Sequence, residues 1–248
     1  MHPSERLADE YSRKAEAYER HWAPAIGPMA MPLLEGLPLA TARRVIDLGA
    51  GTGGHLAALA DAAPEACVVA VDRAEGMLRI AKRRTRHPAV VMDAESLALR
   101  PGVIDVVTLV FMLFHIPHPA TALSEVRRVL RPGGTVGVVT WEKESGTPGA
   151  AMWTEELDSH GAAADPRDPS VMQHAQMDTP AKLERLLSSA GYTRAHIWSR
   201  TFEYRWTVDG LMALQLTCGM AARRLVSLST AQSASCESKV EKAPRIVS

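Results

Sequence analysis

Short, almost unbroken apolar runs recur through the first part of the chain: Val45-Ile-Asp-Leu48, Val68-Val-Ala-Val-Asp72, Val90-Val-Met92, residues 104–110 and residues 135–140. Runs of that length, rich in valine and isoleucine, read as strands buried on both faces, the pattern of a parallel sheet. Helical spacing fills the intervals. Residues 4–22 are helix-prone and place Tyr11 and Tyr18 seven apart, on one face. A helix restarts at residues 55–60. Thr179 caps another with Pro180 at its first position and Gly191 as its stop, and residues 208–228 carry Met212, Leu216, Met220 and Leu225 at helical period. Further strands are expected at residues 194–199 and, as an edge, at Phe202-Glu-Tyr-Arg-Trp206. Alternating strands and helices predict an α/β fold: a doubly wound, mostly parallel sheet in three α/β/α layers, with helical lid segments.

The first strand runs into Gly49-Ala-Gly-Thr-Gly-Gly54 and then a helix. Glycines there permit positive φ and let a ligand approach the main chain. The spacing Gly49, Gly51, Gly54 also fits the dinucleotide fingerprint G-x-G-x-x-G, a weak match alone. Asp47 separates the two cofactor classes this leaves. A carboxylate at the mouth of the turn repels a pyrophosphate but suits S-adenosylmethionine, which carries an ammonium and a sulfonium and no phosphate. The plainer reading is a tight turn whose Asp caps the helix. Asp72 ends the second strand about 20 residues on, where an acid accepts ribose hydroxyls. Asp93, with Glu95 close behind, ends the third, placed to accept from an adenine amino group.

These motifs together (VIDLGAGTGG, VVAVDRAEGML, VVMDAESL, IDVVTLVFMLFHIPHP and VRRVLRPGG) resemble those of class I S-adenosylmethionine-dependent methyltransferases, closely over residues 40–142 and loosely in the flanks. The resemblance implies that Asp47, Gly49, Ala50, Gly51 and Gly53 surround the methionyl end of the cofactor. It implies that Asp72 binds the ribose, that Arg73 and Met77 flank the adenine, and that Asp93, Ala94 and Glu95 meet its edge. A carbonyl near Leu109 would take the ammonium. Residues 1–30 resemble the N-terminal helical lid of small-molecule members, where Tyr11, Tyr18 and Trp22 either line the lid or merely dock it, with Tyr11 reaching the cofactor. The family also carries a seventh, antiparallel strand near the end. Residues 229–248 are Ser-, Lys- and Glu-rich with little to bury, which predicts a disordered or poorly packed tail; either residues 202–206 fill the role of that strand, or the sheet edge is left open or covered by a partner chain, a homodimer included.

Length and composition fit one domain spanning residues 1–228, with a cofactor core at 40–142, an insert over the substrate pocket at 143–178 and a helical cap at 207–228. Lys plus Arg equals Asp plus Glu at 28 each, so no overall basic field points to nucleic acid or an anionic membrane. The run Arg79, Lys82, Arg83, Arg84, Arg86 reads as a solvated helix face or a local basic patch. No apolar stretch reaches the ~20 residues of a membrane span and the start lacks a signal peptide's apolar core, predicting a cytoplasmic protein. Cys67, Cys218 and Cys236 lack metal-ligand spacing, and Cys67 reads as core packing. No metal is implied.

Methyl transfer requires an aligned nucleophile and, for a hydroxyl or acidic carbon, loss of a proton. His115, just past the carboxyl end of the fourth strand, is the candidate base; the alternative is that its ring bonds the loop backbone and walls off the cofactor. His118, between two prolines, is expected on an exposed turn, and His174 and Glu142 are weaker alternatives. The expected activity is methylation of a small organic molecule, at oxygen first and then carbon or nitrogen. The competing readings are an NAD-linked oxidoreductase, which leaves Asp47 unexplained, and a non-catalytic or repurposed S-adenosylmethionine-binding protein, a partner-activating subunit or a cyclase.

Overall fold

The computed structural model of the chain describes residues 1–143 and 148–242. Five parallel strands form one sheet in the order β3-β2-β1-β4-β5: β1 Arg44–Leu48, β2 Cys67–Asp72, β3 Ala89–Val91, β4 Ile104–Val110 and β5 Leu130–Val139. The order reverses between β1 and β4, and a ligand crevice opens at the carboxyl ends of strands flanking such a reversal. Eleven α-helices surround the sheet among the described residues: α1 Pro3–His21, α2 Ala23–Ile26, α3 Met31–Glu35, α4 Leu56–Ala62, α5 Glu75–Arg84, α6 Pro119–Val129, α7 Pro148–Ser159, α8 Pro180–Ser189, α9 Val208–Thr217, α10 Met220–Leu225 and α11 Thr230–Glu241.

The three-layer arrangement follows from alternation along the strands. In β1, Ile46 and Leu48 enter one apolar cluster with α6 and α8, while Val45 enters the opposite cluster with Leu56 and Leu59 of α4. Asp47 shares Val45's face, so its carboxylate points toward α4. β5 begins at Leu130 against Ile104, loses register through Arg131-Pro-Gly-Gly134, and pairs again from Thr135 to Val139. A third cluster joins α7, α9, α10 and α11 around Trp153 and Leu157, both fully buried.

Four expectations change. No strand forms at residues 194–199 or 202–206; this stretch has no regular secondary structure, is largely exposed, and makes no backbone hydrogen bond to any described residue. Its alternating pattern had no strand beside it to complete a ladder. The helix expected over residues 208–228 breaks at Cys218-Gly219, where a Cβ on Gly219 would sit 2.5 Å from Gln215 Oε1. Residues 230–241 of the expected tail form α11, with Ser229 and Gln232 in a reciprocal capping box and with Cys236 and Val240 buried; residues 243–248 lie outside the described residues. Two apolar positions on one helix face were enough to dock a polar segment on α7. Cys67 is exposed, because β2 begins outside the core.

Candidate active site

A cavity of about 130 Å³ lies at the carboxyl ends of β1, β2 and β4 and is roofed by α1. Its floor is the glycine turn. Gly49, Gly51 and Gly53 take φ of 75°, 55° and 77°, the left-handed region that side chains resist. A Cβ on Gly51 would meet nothing within 4 Å, whereas one on Gly49 would strike Met112 at 2.5 Å. Gly49 and Gly51 line the cavity; Ala50 and Gly53 are turned away, Gly53 toward Leu56 and Ala81.

Asp72 ties the turn to the next helix. Its Oδ2 accepts from the Gly51 amide and its Oδ1 from the Ala74 amide, each at 2.8 Å. Burial pushes its carboxyl upward, against the pull of those two amides. Arg73 Nη1 donates to Asp93 Oδ2 at 2.6 Å, and Asp93 Oδ1 accepts from the Glu95 amide. Asp72, Arg73, Met77, Asp93, Ala94 and Glu95 all line the cavity with Tyr11 and His115. At β4 the lining residues are Val110 and Phe111, one step beyond the fully buried Leu109.

Asp47 does not reach the cavity wall. It is 0% exposed and lies beneath the turn, where its Oδ1 accepts from Thr108 Oγ1 at 2.8 Å and sits 2.9 Å from His55 Nε2, while Oδ2 is buried without a partner. Burial would lower His55, but the Asp47 carboxylate outweighs it and raises the imidazole above its ordinary value. The acid therefore holds the turn from below. His55 and Thr108 had no signal in the sequence beyond their places in a helix start and an apolar run.

Helix α1 closes the roof. The Gly76 amide donates to Ser12 Oγ, and a Cβ on Gly76 would lie 2.3 Å from the Ser12 carbonyl oxygen, so α1 and α5 meet at a separation only glycine allows. Ala15, Tyr11 and Tyr18 pack on Ala74, Met77 and Ile80, and the two tyrosine rings meet edge-on at 6.0 Å. The basic run of α5 is neither purely solvated nor a free patch: Arg83 pairs with Glu16 and Arg84 with Glu19 of α1. Trp22 leaves this face and stacks on Trp206.

Tyr11 and His115 meet across the cavity. The Tyr11 hydroxyl lies 3.0 Å from His115 Nε2, and His115 Nδ1 lies 3.4 Å from the Val171 carbonyl oxygen. A ring proton on Nδ1 directed at that carbonyl leaves Nε2 to accept from Tyr11. Burial, reinforced by the charge of Arg167, pushes His115 down to about 3, and burial pushes Tyr11 up to about 12. Both are neutral near pH 7. His174 stacks on Phe114 at 4.0 Å, behind His115; His118 is exposed at the start of α6, and Glu142 lies exposed past β5. Arg167 and Arg223 share Asp165, and Arg223 reaches Glu10 at 3.4 Å, so one partly buried ion cluster joins the insert, α10 and α1. Phe111 is the one non-glycine residue with positive φ among those described, at 51°, and it stacks on Trp141 at 4.2 Å. Such strain concentrates at functional sites.

Among the described residues, no group of three or more His, Cys, Asp or Glu could hold a metal ion, and no helix is long and apolar enough to cross a membrane. Residues 46–138 match the methyltransferase-domain family. The chain is 34% identical over 118 residues to a ubiquinone biosynthesis O-methyltransferase of Methylococcus capsulatus, covering 45% of this chain and 49% of that protein. It is 40% identical over 106 residues to the ubiquinone/menaquinone biosynthesis C-methyltransferase UbiE of Burkholderia mallei, covering 40% and 44%. The chain thus spans less than half the length of these relatives. In fold it is similar to a SAM-dependent methyltransferase from Thermotoga maritima (TM-score 0.55, 22% identity, covering 75% of this chain and 81% of that one). The YcgJ protein from Bacillus subtilis is similar to the same degree (TM-score 0.55, 19% identity, 85% and 87%).

Proposed function

We propose that the protein transfers the methyl group of S-adenosylmethionine to a small organic acceptor; the match of residues 46–138 to the methyltransferase-domain family and the similarity to two quinone-biosynthesis methyltransferases support the reading. The observation that carries the acceptor's size is the Tyr11–His115 contact. It joins α1 to the turn after β4 over the cavity, an enclosure a macromolecular acceptor does not enter. The relatives are named for O- and C-methylation in ubiquinone biosynthesis, which supports oxygen and carbon as the first acceptor atoms to test.

The residues present suit the cofactor. Three carboxylates, Asp72, Asp93 and Glu95, line the cavity against one arginine, Arg73, with no cluster of cations for a phosphate, and the floor at Gly51 is bare backbone. Asp72 would accept from the ribose hydroxyls with the lone pairs its two amides leave free, Met77 would pack on the adenine, and Asp93 and Ala94 would meet its edge. When bound, the cofactor supplies a methyl carbon activated by the sulfonium. The protein's part is alignment, which can supply much of the acceleration. A base held as low as His115 takes up a proton poorly at neutral pH, so in the closed site we assign it to positioning, with Tyr11 as its donor. A cavity of about 130 Å³ is smaller than the ~300–1,000 Å³ of ordinary ligand sites, so α1 moves outward to admit the cofactor.

Calorimetric titration with S-adenosylhomocysteine, with NADH as control, tests the cofactor. Asp72→Ala removes both amide bonds and the ribose acceptor, and charged hydrogen bonds of about 1.5–3 kcal/mol each imply at least ~100-fold weaker binding. Binding of NADH alone would overturn the reading. Release of S-adenosylhomocysteine from S-adenosylmethionine only when a phenolic or quinol acceptor is added would establish transfer. Tight cofactor binding with no turnover across such a panel would leave a cofactor-binding protein without methyltransferase activity.

A further inference from the structure

Beneath the glycine turn lies a titratable pair that the proposed chemistry does not use. Asp47 stands on β1 and His55 at the start of α4, with side chains 0% and 8% exposed and 2.9 Å apart. Thr108 Oγ1 of β4 donates to the same oxygen, Asp47 Oδ1, while Oδ2 is buried without a partner. The cluster in this layer of the molecule is apolar: Val45 of β1, Leu56 and Leu59 of α4, and Leu78 and Ala81 of α5 bring nothing that titrates. Asp47 is thus the charged group that faces His55. The next carboxylate is Asp72 on β2, which burial raises and which the charge of Asp47 raises further.

One unit of charge therefore comes and goes under the floor of the cavity. His55 Nε2–H donates to Asp47 whether or not the ring is charged, so the proton is gained and lost at Nδ1 and the hydrogen bonds stay as they are. With His55 protonated the pair is neutral. With His55 neutral it carries one negative charge, shared with an oxygen that no donor satisfies, in surroundings that screen it weakly. Burial lowers His55 and the adjacent carboxylate more than restores it, so the change falls above the ordinary 6.5. The charge reaches the site: Asp47 is two residues from Gly49, which lines the cavity, and Asp72 on the cavity wall feels it. The two forms of the proposed cofactor differ in the property such a charge acts on. S-adenosylmethionine carries a sulfonium; when the methyl leaves, the pair of the broken C–S bond returns to sulfur, and S-adenosylhomocysteine is a neutral thioether.

We propose that the proton on His55 sets how strongly the site prefers S-adenosylmethionine over its demethylated product: strongly when His55 is neutral and Asp47 is uncompensated, weakly when His55 is protonated. The inference rests on the S-adenosylmethionine reading of the cavity and extends it to the exchange of product for fresh cofactor. Dissociation constants of both compounds are measured by calorimetry at pH 6.0, 7.5 and 9.0, on the native chain and on His55→Gln, whose amide still donates to Asp47 and never carries charge. In the native chain the ratio of the product's Kd to that of S-adenosylmethionine should rise about fivefold or more from pH 6.0 to 9.0, the size expected of one weakly screened unit charge. In His55→Gln the ratio should hold its high-pH value throughout. The ligands' own amino groups titrate near about 8, but they enter both proteins alike and cancel in the comparison. A ratio that follows pH equally in both proteins, or in neither, overturns the proposal. Should His55→Gln fail to fold, the native chain suffices, because coupling is reciprocal: His55 should titrate about 0.7 pH unit lower with S-adenosylmethionine bound than with product bound, the equivalent of fivefold, followed by the ring-proton resonances. Identical titration in the two complexes sinks it. Binding of neither compound at any pH is a separate result, which removes the cofactor reading itself and this inference with it.

Discussion

The half of the molecule from β1 to β5 and the half that covers it are built on different terms. In the sheet half each strand satisfies its neighbour's backbone, and β1 is buried from Val45 to Leu48. The covering half is joined to it by side chains: a glycine contact, a tyrosine–histidine bond, ion pairs and stacked tryptophans. Backbone ladders resist opening together, whereas side-chain contacts can be lost one at a time. The laddered half holds the proposed cofactor floor, and the half proposed to move outward for cofactor entry is the one held by separable contacts.

Gly76→Ala should break that comparison most sharply. The added Cβ would lie 2.3 Å from the Ser12 carbonyl oxygen, and overpacking against backbone costs about 1–3 kcal/mol or more. Alanine also favours helix α5 by about 1 kcal/mol, so α5 is kept and the strain falls on α1. We expect fast hydrogen exchange through α1, unchanged exchange in β1 and β4, and S-adenosylhomocysteine binding about tenfold or more weaker. Native-like protection of α1 in this variant would mean that the roof is not held by close approach at Gly76.

This asymmetry also explains what could be read from the sequence. The strands were legible because valine-rich runs of fixed length have one good packing, and Asp72 and Asp93 because strand ends place them at the crevice. Asp47's place in the turn suggested the ligand, while its parity with Val45 along β1 sends its carboxylate toward α4, His55 and Thr108. The α5 arginines were legible as a face but not as a docking surface, since their partners Glu16 and Glu19 lie more than sixty residues away. Residues 194–206 carry the alternation of strands, yet a strand needs a neighbour, and sequence pattern does not report whether one is present. The tail reading failed for the opposite reason: Cys236 and Val240, four apart, dock a helix that composition alone called polar.

His115 sits at the seam and makes the comparison titratable. Its folded value of about 3 lies below the ordinary 6.5, so below pH 6.5 the unfolded chain binds a proton that the folded chain refuses. Its contribution is unaffected above 6.5 and falls by about 1.4 kcal/mol per pH unit as pH drops from there toward 3. His115→Gln should flatten stability against pH in that window by that slope, measured by denaturant unfolding of both proteins at pH 7.5, 6.0 and 5.0. If the two curves stay parallel, the ring is not buried neutral against Tyr11.

The smallest effect should come from the exposed ion pairs on the same roof. Arg83 and Glu16 side chains are 63% and 69% exposed, and Arg84 and Glu19 are 40% and 26%; pairs of this kind are worth about 0.2–1 kcal/mol and are screened by salt. Replacing Arg83 and Arg84 together by alanine should lower the melting temperature by only about 2–4 °C and speed exchange in α1 a few-fold, both at low ionic strength. In ~1 M salt, where the Debye length is about 3 Å, native and variant should converge. A difference that survives high salt would mean that the aliphatic stems of the arginines, and not their charges, hold α1 down. Convergence would leave Gly76 and the Tyr11–His115 contact as the attachments that keep the roof closed, and would make the ion pairs a salt-dependent adjustment of how often it opens.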